Sequence, residues 1–175
     1  MNVPPIILDI EASGFGRGSY PIEIGVAMDD CHLTSQLIKP FGHWVHWQKS
    51  AEKIHGIKRE TLLEEGRSPY ELALALNRML AGRTVFSDGW GVDRSWLALL
   101  FHEVGLAQSF KLESIYTLLD EAQLDSWAEN KRRVLELTGM KLHRAGTDAF
   151  IIQQTYLYTV DIDSFEQSLL RFNAA

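Results

Sequence analysis

Ile6-Ile7-Leu8-Asp9-Ile10-Glu11 sets two carboxylates into an otherwise apolar run, which ends at the small-residue turn Ala12-Ser13-Gly14. A short apolar run closed by such a turn reads as a buried β-strand. Side chains alternate along a strand, so Asp9 and Glu11 share one face while Ile10 takes the other. Two like charges about 4 Å apart repel by roughly 4 kcal/mol at an effective dielectric near 20. A shared proton, a basic partner or a divalent cation would relieve that repulsion, and a solvated strand end would avoid it. The strand alone leaves these alternatives open.

Outward from this strand, residues 21–28 (Pro-Ile-Glu-Ile-Gly-Val-Ala-Met) read as a second strand, Asp29-Asp30 as a turn and residues 32–38 as the hairpin partner. Residues 39–48, with Pro40, Gly42, Trp44 and Trp47, read as a loop, and short helical pieces follow from Ser50. Ser68-Pro69 opens a helix with Ser as cap, Pro in first place and Glu71 in the first turn; Leu72, Leu76, Met79 and Leu80 form its apolar stripe and Gly82 ends it. Thr84-Val85-Phe86 reads as a short strand, and residues 92–104 as a helix with Trp96, Leu97, Leu100 and Val104 on one side. Further helices are expected over 114–119, 126–137, 147–160 and 164–172. Strands first, then helices alternating with a strand, predict an α/β fold: a mixed β-sheet flanked by helices.

With 175 residues, no internal repeat and no linker, the chain is expected to form a single domain over 1–175. Apolar residues make up 46% and charged residues 23%, which is globular and not disordered composition. The apolar runs are too short for a membrane span, and Met1-Asn2-Val3-Pro4-Pro5 lacks the basic flank and long apolar core of a signal peptide. The lone Cys31 excludes an intrachain disulfide, and a cytoplasmic location is expected. A net charge of −6 argues against a domain that grips long nucleic acid through many phosphate contacts. It leaves room for an enzyme whose carboxylates carry their own cations. Lys53, Lys58, Arg59, Lys131, Arg132, Arg133, Lys141 and Arg144 are scattered, as on a solvated face.

The second informative segment is Lys141-Leu142-His143-Arg144-Ala145-Gly146-Thr147-Asp148-Ala149. In one regular helix His143 and Asp148 would stand about 140° apart and could not converge. They can converge if His143 lies on the approach loop and Asp148 in the first turns, with Gly146 allowing the entry. The positive end of the helix would then favour an ionised Asp148. In isolation, a surface His and an ordinary first-turn Asp are the favoured explanation of the segment.

Taken in order, Asp9-Ile10-Glu11-Ala12-Ser13-Gly14, Glu23 in Pro-Ile-Glu-Ile-Gly, Ile54-His55-Gly56-Ile57, an Asp before Trp96-Leu97 and His143-x-Ala145-x-x-Asp148-Ala149 resemble the DnaQ-like DEDDh family of 3′–5′ exonucleases on the ribonuclease H-like fold. The resemblance covers residues 6–158. It departs from the family in mid-chain, where Phe86-Ser87-Asp88-Gly89-Trp90-Gly91-Val92-Asp93 lacks the usual His-Asn. Asp93 keeps the spacing to an aromatic-Leu pair, whereas Asp88 sits where a turn role is the default, so Asp93 is favoured and Asp88 competes.

The resemblance implies that Asp9, Glu11, Asp93 and Asp148 hold two hard cations, Mg²⁺ or Mn²⁺, with Asp9 as the candidate bridge. It implies His143 as the base that activates water, a role its ordinary pKa near 6.5 suits. The product would be a nucleoside 5′-monophosphate from the 3′ end of single-stranded DNA or RNA. Ala12, Ser13, Gly14 and His55 are the candidates for contact with the terminal nucleotide, and Trp44 and Trp47 either stack on bases or pack the loop. Trp90, Trp96 and Trp127 read as structural. His43 and His46 with Cys31 and His32 match no usual zinc spacing. Two other readings remain: a nuclease restricted to very short oligonucleotides, like an oligoribonuclease, and an inactive nucleic-acid-binding domain on the same fold. The amphipathic C-terminal stretch packs either on its own core or on a second subunit, as in a homodimer.

Overall fold

The computed structural model describes residues 3–30 and 32–174; Met1, Asn2, Cys31 and Ala175 lie outside it, so the readings that rest on Cys31 and on the first two residues stay expectations. Strand β1 (Ile7–Ala12) pairs antiparallel with β2 (Pro21–Ala27), which pairs antiparallel with β3 (Leu33–Leu37). On its other side β1 runs parallel to β4 (Thr84–Ser87), itself parallel to β5 (Lys111–Ser114), giving the order β3-β2-β1-β4-β5. Helices α1 (Lys49–His55), α2 (Arg59–Glu65) and α3 (Pro69–Leu80) lie between β3 and β4, and α4 (Trp90–Glu103) lies between β4 and β5. The chain finishes with α5 (Glu121–Thr138), α6 (Ala145–Val160) and α7 (Ile162–Ala174). None of the described helices is long and apolar enough to cross a membrane.

Alternation along β1 splits the core in two. Leu8 and Ile10 join Ile24 and Val26 of β2 against Leu72 and Leu76 of α3 and Leu97 and Leu100 of α4. Ile7 instead packs with Trp127 of α5 and Ala149 and Ile152 of α6. Asp9 and Glu11 therefore project on the α6 side of the sheet, opposite Gly25 and Glu23 of β2. Gly25 is what lets α6 come down there. A Cβ on it would lie 2.1 Å from the Ala145 carbonyl carbon and 2.2 Å from the Gly146 nitrogen.

Several expectations need correction. Strand β5 was not foreseen, because Lys111-Leu112-Glu113-Ser114 offers one apolar residue in four and its strand character comes from pairing with β4. The helix expected over 114–119 is a 3₁₀ turn, Ile115–Leu118. Helix α5 starts at Glu121, ahead of the expected 126, because Asp120 and Gln123 form a reciprocal capping box. Ser68 does precede α3, but its side chain makes no capping bond.

Candidate active site

The C-terminal half of β1 opens into a cleft of about 310 Å³ whose walls include Asp9, Glu11, Asp93, His143 and Asp148. Three elements and the turn that leads into α6 meet there. β1 supplies the first two carboxylates, α4 supplies Asp93 in its first turn, and α6 supplies Asp148 in its own. Glu11, His143 and Asp148 each offer one ligand atom, all within 4.8 Å of one another.

The two mid-chain aspartates have different surroundings. Asp93 is 3% exposed and accepts a hydrogen bond from the Ser87 hydroxyl at the end of β4. Gly89 makes room for it, since a Cβ there would stand 2.9 Å from Asp93 Oδ2. Asp88 is not among the residues lining the cleft and accepts a 2.7 Å bond from Lys131 Nζ of α5. Both aspartates are close enough to act electrostatically on Asp9, but only Asp93 belongs to the cleft wall.

His143 lies on the approach to α6, as expected, and adopts a left-handed conformation with φ 76°. Gly146 is inside the helix, where its bare α-carbon faces the Ser35 side chain of β3. The strained His143 conformation is held by its own N–H, which donates to both Asp148 carboxylate oxygens at 3.0 Å. Convergence of His143 and Asp148 is thus a backbone-to-carboxylate contact across one turn.

The four carboxylates cannot all ionise comfortably. Burial, followed by the charges of Asp93, Asp148, Asp88 and Glu11, raises Asp9 well above the usual carboxylate range. Burial and then Asp148 push Glu11 up to about 7, against some relief from Arg144. Burial pushes Asp93 to about 7 despite the Ser87 bond, and burial also raises Asp148. An all-oxygen donor set with this surplus of negative charge fits hard divalent cations.

The rest of the cleft is mostly apolar. Ala12 and Gly14 line it, as does His55 at the end of α1. Ser13 does not: it is fully buried, its Oγ accepting the Tyr20 N–H and bonding His46 Nδ1. His55 accepts the Ile57 N–H at Nδ1, so its proton sits on Nε2, which is buried and unpartnered. Sequence reading missed the mouth, where Phe15, Ile54 and Val92 are exposed and Phe15 lies 5.9 Å from the Trp96 ring. Their only sequence signal is position beside Gly14, His55 and Asp93. The loop 39–48 buttresses this end. Gln48 exchanges two hydrogen bonds with the Phe15 backbone, and Trp44 is buried between Tyr20 and Phe41. Trp47 donates to Glu52 and packs on His55. Trp44 is therefore packing, and neither tryptophan lines the cleft. Trp96, expected to be structural, does line it.

No protein-family model and no curated protein sequence matches the chain. Solved structures do. E. coli exonuclease I bound to a dA16 oligonucleotide is 12% identical, with a TM-score of 0.67 over 95% of this chain and 43% of that one. The fold is ribonuclease H-like. A zinc-bound form of the E. coli exonuclease I–single-stranded DNA complex is 13% identical, with a TM-score of 0.65 over 95% and 42%. The moderately thermophilic exonuclease I of Methylocaldum szegediense is 13% identical, also with a TM-score of 0.65, over 94% and 42%. The chain spans less than half the length of these proteins, and at such identity the ribonuclease H-like fold is what they share with it. Motif resemblance and likeness of fold point to the same group of proteins.

Proposed function

We propose that the chain is a metal-dependent 3′–5′ exonuclease of the DnaQ-like DEDDh kind, acting on single-stranded nucleic acid. The observation that carries this reading is the convergence of Asp9, Glu11, Asp93, His143 and Asp148 from β1, α4, α6 and the turn before α6 onto one cleft. Asp9, Glu11, Asp93 and Asp148 would hold the cations, Mg²⁺ or Mn²⁺. Bound there, divalent cations supply Lewis-acid activation of water and stabilise charge on the phosphate. His143, exposed at the rim beside Glu11 and Asp148, takes the proton of the attacking water. The apolar mouth around Phe15 receives the face of a base, while Ala12 and Gly14 let the backbone approach the terminal sugar. The exonuclease I structures with bound oligonucleotides support this substrate class.

The net charge of −6 favours a second reading, in which the same chemistry is confined to very short oligonucleotides. Digestion of 3′- and 5′-labelled RNA and DNA oligomers with Mn²⁺, using Asp9→Ala as control, tests the assignment. Loss of the 3′ label first, abolished by EDTA and by Asp9→Ala, is expected; the opposite polarity, or activity in EDTA, overturns it. A dinucleotide hydrolysed much faster than a long strand would select the second reading.

A further inference from the structure

Glu23 entered the sequence comparison only as a matching residue on the second strand, and the proposed chemistry gives it no task. It is nevertheless 1% exposed and lies directly opposite Glu11 in the sheet. Four donors satisfy its carboxylate. Oε1 accepts from Ser35 Oγ at 2.8 Å and from Arg144 Nη2 at 2.6 Å. Oε2 accepts from Arg144 Nε and from the Ala145 N–H, both at 3.0 Å. The guanidinium thus grips the carboxylate as a two-toothed fork, and the next backbone N–H adds a third tooth.

Those contacts fall on the residues immediately after His143. His143 holds a left-handed conformation that is unfavourable for a non-glycine residue, so its place must be imposed by its surroundings. On its own helix the anchor is Asp148, which receives the His143 N–H. On the sheet the anchors are Glu23, which receives Arg144 and the Ala145 N–H, and Gly25, on which the Ala145 backbone rests. The arginine of this pair is half exposed, and ion pairs that reach solvent contribute little net stability. The geometry that this pair imposes accounts for it better than stabilisation does.

We propose that Glu23, through its fork with Arg144 and its bond to the Ala145 N–H, is the positioning residue that sets His143 and Asp148 over the cleft. The proposal rests on reading that cleft as the exonuclease site. Arg144 is the informative position for substitution, because Glu23 keeps the Ser35 and Ala145 bonds when the guanidinium is removed. Arg144→Ala and Arg144→Lys should each lower kcat by roughly ten- to a hundredfold, the range typical of residues that orient metal ligands. KM for the oligonucleotide should stay within about twofold, because the fork acts on the reacting groups and not on substrate binding. Lysine should not rescue, since a point charge cannot reproduce the fork. Glu23→Gln provides a second variant, with the same direction of effect.

A readout independent of turnover is the His143 ring signal in ¹³C-histidine-labelled protein, assigned among six histidines by His143→Ala. It should shift or broaden in the Arg144 variants while the other signals stay in place. An unmoved His143 signal with wild-type kcat in both Arg144 variants would overturn the proposal. So would a rise in KM alone, which would make Arg144 a substrate ligand. If the wild-type protein hydrolyses no oligonucleotide, the exonuclease reading fails, and the His143 signal still decides whether the fork positions that residue.

Discussion

Asp88 and Asp93 carry the same carboxylate, yet the fold gives them opposite surroundings. Lys131 neutralises Asp88 from α5, whereas Asp93 has only the Ser87 hydroxyl and a cleft shared with three other acids. On the proposed reading Asp93→Asn removes a cation ligand and should lower kcat by roughly a thousandfold, as the loss of several kcal/mol of metal-borne stabilisation requires. Asp88→Asn should lower it less than roughly tenfold, because its partner is a lysine and not a metal. Mn²⁺-dependent release of a 3′-terminal label compares the two directly, and an inverted ranking would return the ligand role to Asp88. Phe15 makes a separate case. At 66% exposure it contributes little to the core, so Phe15→Ala should leave the melting temperature unchanged. Losing one base-stacking contact should raise KM by about five- to a hundredfold. An unchanged KM would remove the apolar mouth from substrate binding.

Among the elements, β2 and α6 depend on each other through one missing side chain. Gly25→Ala would place a methyl within 2.2 Å of the α6 backbone at Ala145 and Gly146, where neither main chain can yield locally. The expected result is overpacking by about 1–3 kcal/mol, read from urea unfolding, with loss of activity because α6 carries Asp148. Wild-type stability and activity would mean that the two elements are not pressed together there. The sequence made part of this legible. Apolar runs placed β1 and β2, an apolar stripe placed α3 and α4, and alternation put Asp9 and Glu11 on one face. It missed β5, whose four residues become a strand only by pairing with β4, and it left unread the Asp120–Gln123 box that starts α5. It gave no sign of the left-handed turn at His143. A left-handed histidine is unfavourable by itself, and what holds this one is Asp148 together with Glu23, which grips Arg144 across 121 residues of sequence. Local pattern brought the site residues into view; long-range contacts fixed their geometry.

For the whole molecule, the crowded cleft links stability to pH and to metal. Glu11 and Asp93 have ordinary values near 4.5 and 3.8, and in the fold both rise to about 7, while Asp9 and Asp148 move in the same direction. Between about pH 4 and pH 7 the native state consequently binds more protons than the unfolded chain, so stability falls as pH rises through that window. Metal-free protein in EDTA should melt at a lower temperature at pH 8 than at pH 5.5. Divalent cations reverse the sign, since they bind the carboxylates only after those protons have left. With Mg²⁺ or Mn²⁺ at about a hundred times its dissociation constant, the native state gains about 2.7 kcal/mol. That gain should be largest at pH 8 and nearly absent at pH 5.5. Asp93→Asn removes one of the repelling charges, so in EDTA at pH 8 it should melt above the wild type while responding less to Mn²⁺. Calorimetric melts of both proteins at the two pH values, with and without Mn²⁺, measure all of these shifts. A wild-type protein whose metal-free stability is the same at pH 5.5 and pH 8 would show that the four carboxylates are not held against their charge.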